Sequence, residues 1–302
     1  MSRESFRRTL RGKGPVSFKT HPPKKHEGEI LHVAKSPVVT MAPTTPIYDA
    51  IRIMIKEGFR RIPIANPGTR TLEGIVTAPD VINYLGGGEK FRIIERKFGG
   101  NLFKAINEPV KIIMTKKVVS VKTSSKISEA IKLMKEKNIG GLPVVDDENR
   151  VRAIITERDV ANMFADRISR VKVEELMSRK VVTALPKTTI FEAVKTMTKR
   201  GFRRLPITSE NKVVGIITAM DILRFFGSGK VFKHLQSRTI IQVLNTPVIE
   251  IATKKVVTIN PEADIGQAAK LMRKENIGAL PVVENGRLIG IITERDFFKK
   301  IE

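Results

Sequence analysis

Two arginine pairs carry the most suggestive side chains of the 302-residue sequence: Arg60/Arg61 in "GFRRIP" (58–63) and Arg203/Arg204 in "GFRRLP" (201–206). A guanidinium fork matches phosphate oxygens in pairs, so adjacent arginines before an apolar run suit a phosphorylated ligand. They suit ordinary surface charge or RNA contacts as well. Four Thr-x-x-Asp motifs recur beside them: Thr77/Asp80, Thr156/Asp159, Thr218/Asp221 and Thr293/Asp296. That spacing resembles a capping box, with Thr as N-cap and Asp at N3.

Other chemistry is sparsely furnished. There is no cysteine, which excludes disulfides, a thiol nucleophile and thiolate metal sites. His21, His26, His32 and His234 lack metal-ligand spacing, and no carboxylates pair for acid–base work, so neither catalysis nor a metal is expected. The N-terminus has no apolar central region and no apolar run is long enough to cross a bilayer, so a cytoplasmic protein with no membrane role is expected.

The elements that must position these residues come in four copies. Helical segments read "PIYDAIRIMIKEGF" (46–59), "KISEAIKLMKEKNI" (126–139), "TIFEAVKTMTKRGF" (189–202) and "DIGQAAKLMRKENI" (264–277). Apolar residues at i, i+3, i+4 and i+7 (Ile47/Ala50/Ile51/Met54 and its three counterparts) draw one stripe on each helix. Gly58, Asn138, Gly201 and Asn276 then supply residues that tolerate the left-handed turn closing a helix. Two short strands follow ("RIPIA" and "EGIVT" in the first copy), and each second strand runs into Thr-x-x-Asp and a further helix. A strand such as "SPVVTM" or "KVVSV" precedes each unit, giving β-α-β-β-α over about sixty residues. Copies one and three share "GFRR"; copies two and four share "NIG", "LPVV" and "TERD", so the duplicated ancestor is a pair.

This unit, with "LPVV" in its second strand and "G-h-h-T-x-x-D" closing its third, resembles the CBS domain, whose tandem pairs are called Bateman modules. The whole chain is similar to archaeal four-CBS proteins related to the gamma subunit of AMP-activated protein kinase. The resemblance implies an α/β fold: two CBS pairs forming a disc, at 31–169 (repeats about 34–88 and 110–166) and 170–302 (about 173–229 and 246–300). It implies clefts for adenine nucleotides (AMP, ADP or ATP), with the aspartates of Thr-x-x-Asp holding ribose hydroxyls. The threonines and adjoining helix N-termini would face a phosphate, with Arg60, Arg61, Arg203 and Arg204 reaching the same phosphates. Repeats two and four have Gly140/Gly141 and Gly278/Ala279 in place of the arginines, so the four sites should differ. Ala153 stands where the other copies have Gly74, Gly215 and Gly290, which weakens the second site.

Charge adds a second expectation. Lys+Arg number 55 against 31 Asp+Glu, a net +24 that favours polyanions. A basic arm over residues 1–30 carries Arg3, Arg7, Arg8, Arg11, Lys13, Lys19, Lys24 and Lys25 against three glutamates, +5 of the total, so the body is basic too. "SRESFRRTLRG" can form a short helix with Ser2 as N-cap, its arginines aligned on one face and mutually repelling until a polyanion neutralises them. The arm is read as an RNA-binding extension or as a basic tail. Four repeats with a basic arm are similar to archaeal ribosome-hibernation factors, which implies binding of small-subunit rRNA, translational silencing and a homodimer. The alternative is an energy sensor that regulates a protein partner.

Overall fold

The computed structural model describes residues 18–19, 28–165, 168–228, 231 and 240–300. Each repeat builds on its striped helix: Ile47–Glu57, Ile127–Glu136, Ile190–Arg200 and Ile265–Lys274. The stripe residues are buried, apart from half-buried Ile127. Each large apolar side chain so covered contributes about 1.5–3 kcal/mol. The helices close as their sequences predict, with φ of 67° at Gly58, 53° at Asn138, 68° at Gly201 and 53° at Asn276.

The helix of each repeat leads to an antiparallel hairpin: Arg61–Ala65 with Leu72–Thr77, Gly141–Val145 with Val151–Thr156, Arg204–Ser209 with Lys212–Thr218, and Ala279–Glu284 with Arg287–Thr293. Each hairpin carries one bulge at the matching place. The expected opening strands are short: Val39–Thr40 and Val121–Lys122 as strands, Ala184 and Ile259 as single parallel bridges to Ile207 and Val282. The reason is an exchange within each pair. Before reaching its own sheet, each opening segment bridges the last strand of its partner repeat: Lys35 to Ile154, Thr115 to Ile75, Ser178 to Ile291 and Thr253 to Ile216.

That exchange gives two of the three glycines matched to Ala153 a packing role. A Cβ on Gly74 or Gly290 would strike the sulfur of Met114 or Met177 in the exchanged segment. Around Ala153 the exchanged segment brings Ala34 into the same core cluster. Gly74 and Gly290 thus make room for methionines, whereas a Cβ on Gly215 would meet Ile207, Ile249 and Thr253 at an ordinary 3.4 Å.

The pairs join at two seams. Helix Ala219–Gly227 of repeat three packs on Ile47–Glu57 and Ala78–Leu85 of repeat one. Helix Glu157–Asn162 of repeat two packs on the closing turn Glu294–Lys300 of repeat four, a 3-10 helix where an α-helix was expected. Among the described residues no helix is long and apolar enough to cross a membrane, and no cluster of three His, Cys, Asp or Glu could hold a metal.

Candidate functional site

All four repeats line one central cavity of about 570 Å³. Its walls are pseudo-symmetric: Arg60, Arg61, Thr77 and Asp80 of repeat one answer to Arg203, Arg204, Thr218 and Asp221 of repeat three. The arginines follow the left-handed turns at Gly58 and Gly201, which swing the chain back toward the cavity before the hairpin begins. Repeats two and four contribute Asn138, Gly140 and Arg158, and Asn276, Gly278 and Arg295. Lys117 and Lys255, exposed in the exchanged segments, stand at the rim.

The two arginines of each pair do different things. Arg60 Nη1 donates to Glu294 Oε2 at 2.6 Å, and Arg203 Nη1 donates to Glu157 Oε2 at 2.5 Å. Both carboxylates are buried and both belong to the opposite CBS pair. Arg158 Nε donates to the second oxygen of Glu294 at 2.8 Å, and Arg295 Nε to that of Glu157 at 2.5 Å. Each glutamate is thus gripped from two sides. Burial alone would raise the Glu157 carboxyl, but Arg203, Arg295 and Arg61 overcome it and hold the group down at about 2. Glu294 is lowered for the same reason, with Arg60 and Arg158 outweighing burial.

Arg61 and Arg204 have no such partner among the described ion pairs. Arg204 donates to the Gly278 carbonyl; Arg61 lies against Gly141. Burial first, and neighbouring arginines second, lower Arg61 to about 10 and Arg204 to about 9. An arginine stays protonated at neutral pH. The cavity wall thus carries two cationic guanidiniums with no carboxylate partner among the described ion pairs. Gly140 and Gly278 make the arrangement possible. A Cβ on either would collide with the guanidinium of Arg203 or Arg60 and with the facing glutamate.

Every Thr-x-x-Asp motif makes the capping contacts. Thr77, Thr156, Thr218 and Thr293 each donate a backbone N–H and a hydroxyl to one oxygen, Oδ2, of Asp80, Asp159, Asp221 and Asp296. The remaining oxygen differs. Asp80 Oδ1 accepts from Lys90 at 3.1 Å, Asp221 Oδ1 from Arg224 at 2.7 Å, and Asp296 Oδ1 from Lys299 at 2.8 Å. Burial pushes the Asp159 carboxyl up.

The structure thus gathers Arg60, Arg61, Arg203, Arg204, Thr77, Asp80, Thr218 and Asp221 in one cavity. It does not bring Thr156, Asp159, Thr293 or Asp296 into its lining. In repeats two and four Arg158 and Arg295 line it instead, paired with the buried Glu294 and Glu157. Of the expected RNA-binding residues, Arg3, Arg7, Arg8, Arg11, Lys13, Lys24 and Lys25 lie outside the described residues. Lys19 sits in a two-residue strand, Phe18–Lys19, paired with Val39–Thr40. Sequence reasoning missed Glu157 and Glu294. The available signal was "TERD" in the even repeats against "TAPD" and "TAMD" in the odd ones.

A family model described as the CBS domain matches residues 28–87, 110–166, 173–228 and 248–302. A protein of Methanocaldococcus jannaschii is 40% identical over 264 residues, 87% of this chain and 94% of that one. A solved structure from the same organism, described as a candidate archaeal homologue of g-AMPK, superposes with a TM-score of 0.86 at 37% identity. It covers 90% of this chain and 99% of that chain. A Thermofilum pendens protein, described as lying in a ribosomal RNA operon, is 33% identical over 272 residues, 90% of each.

Proposed function

The chain belongs to the CBS-domain family, and from that premise we propose that it is a regulatory protein that binds AMP, ADP or ATP in its central cavity. The observation that supports this is the union of two Thr/Asp motifs with four arginines around one space. Asp80 and Asp221 accept the ribose hydroxyls through the oxygen that Lys90 and Arg224 now cover. Thr77 and Thr218, at helix N-termini, face the first phosphate. Arg61 and Arg204, crowded and without carboxylate partners, take the phosphates further in. Titration calorimetry with AMP and ATP tests the reading, with Asp221→Ala as the variant. Binding should weaken at least tenfold, about 1.4 kcal/mol. Unchanged affinity rejects the ribose role, and a wild-type protein that binds no adenine nucleotide rejects the function.

A second property is favoured by the net charge of +24 and by the relative from a ribosomal RNA operon. In this reading the arm and basic surface bind small-subunit rRNA, and the protein, as a homodimer, silences or joins small subunits. Exposed Lys116, Lys117, Arg179, Lys180, Lys254 and Lys255, from three of the exchanged segments, add to that surface. Four phosphate contacts would give a log–log salt dependence with a slope of about −3 to −4. Removing residues 1–25 should abolish co-sedimentation with ribosomes. Recovery of one protein and no rRNA in a nucleotide-dependent pull-down favours an energy sensor with a protein partner instead.

A further inference from the structure

Two buried carboxylates, Glu157 and Glu294, hold arginines that line the cavity. Glu157 and Glu294 stand immediately after the capping threonines of repeats two and four, where repeats one and three have Ala78 and Ala219. The even repeats thus carry a carboxylate where the odd repeats carry a methyl group. Arg60 and Arg158 close on Glu294, and Arg203 and Arg295 close on Glu157. Arg204 adds its charge beside Glu294, and Arg61 beside Glu157. Six guanidiniums therefore surround two carboxylates in this cluster.

We propose that Glu157 and Glu294 are specificity-determining residues, built-in anions that hold Arg60 and Arg203 and so limit the length of phosphate chain the central cavity accepts. The inference rests on the nucleotide reading of the cavity and adds what that reading leaves open: how mono-, di- and triphosphates are told apart. A short chain is met by Arg61 and Arg204, which have no carboxylate to leave. A longer chain must draw Arg60 and Arg203 off their glutamates. Breaking a buried pair leaves a carboxylate without its full complement of cations, a penalty that offsets most of what the added phosphate gains.

The test is calorimetry on the full chain with inorganic phosphate, pyrophosphate and tripolyphosphate, comparing wild type with Glu157→Gln, Glu294→Gln and the double variant. Glutamine keeps the shape and removes the charge. In the double variant tripolyphosphate should bind at least about tenfold tighter and phosphate only about twofold tighter, because the gain scales with ligand charge. The single variants should each show about half of that discrimination on a logarithmic scale, and Glu157→Asp should keep the wild-type ratio. If the wild type binds AMP or ATP but the glutamine variants bind tripolyphosphate no more tightly, this inference falls and the nucleotide reading stands. If the wild type binds neither nucleotide nor tripolyphosphate, the reading falls and takes the inference with it. Should even the single variants fail to fold, as judged by circular dichroism, the glutamates are structural clamps and the inference is overturned.

Discussion

The two arginines of each "FRR" run are neighbours in sequence and opposites in circumstance. Arg60 and Arg203 meet carboxylates within 2.6 Å, whereas Arg61 and Arg204 are crowded by like charge. The paired glutamates give stability a defined acid limb. Glu157 titrates at about 2 in the fold against an ordinary 4.5, its pairing having overcome burial. Its contribution is full above pH 4.5 and lost as pH falls toward 2. That contribution is on the order of 3 kcal/mol at neutral pH. Urea unfolding across that range should therefore show a steep loss in the wild type and a shallower one in Glu157→Gln; equal slopes would mean that Glu157 pairs as strongly in the unfolded chain. The arginines were legible from the sequence as candidates, because the run GFRR repeats at the same place in two copies of the unit. Their division of labour was not. Arg158 and Glu294 are 136 residues apart, and the partner of each charge lies in the other CBS pair.

At the scale of elements the sequence was most legible where local rules decide. The striped helices, the left-handed residues that end them and the hairpins all follow from spacing and residue type. The Thr-x-x-Asp motif was read two ways, and all four copies make the local capping contacts. Thr156 and Asp159 lie outside the cavity lining, so Thr156→Ala should cost about 1 kcal/mol of stability and leave AMP affinity unchanged. A thermal melt and one titration check both halves of that statement. What failed was the opening strand. Runs of five or six β-forming residues became two-residue strands or single bridges, because the segment divides its hydrogen bonds between two sheets. No propensity records such a division, since it depends on where the partner repeat lies.

For the whole molecule, one cavity walled by four repeats ties ligand occupancy to the stability of both pairs. A ligand that binds only the assembled form adds about 2.7 kcal/mol at a hundredfold excess over Kd. Calorimetric melting with saturating ATP should therefore move a single transition upward. Two transitions, with one left in place, would show that the pairs melt separately and that the cavity is not shared. The net charge of +24 belongs to this scale as well. It was plain from composition, yet composition could not say that part of the excess faces inward around a void rather than outward to a partner.

The reciprocal loan of edge segments within each pair, Lys35 to Ile154 and Thr115 to Ile75, has an evolutionary corollary. A gene fragment encoding one repeat would leave a hydrogen-bonding margin bare on its own last strand and carry a stray edge with nothing to lie against. Such a product could settle only by finding a twin. Shuffling during descent is thus confined to whole pairs, and a recombination breakpoint inside a pair would be purged before any ligand came into question.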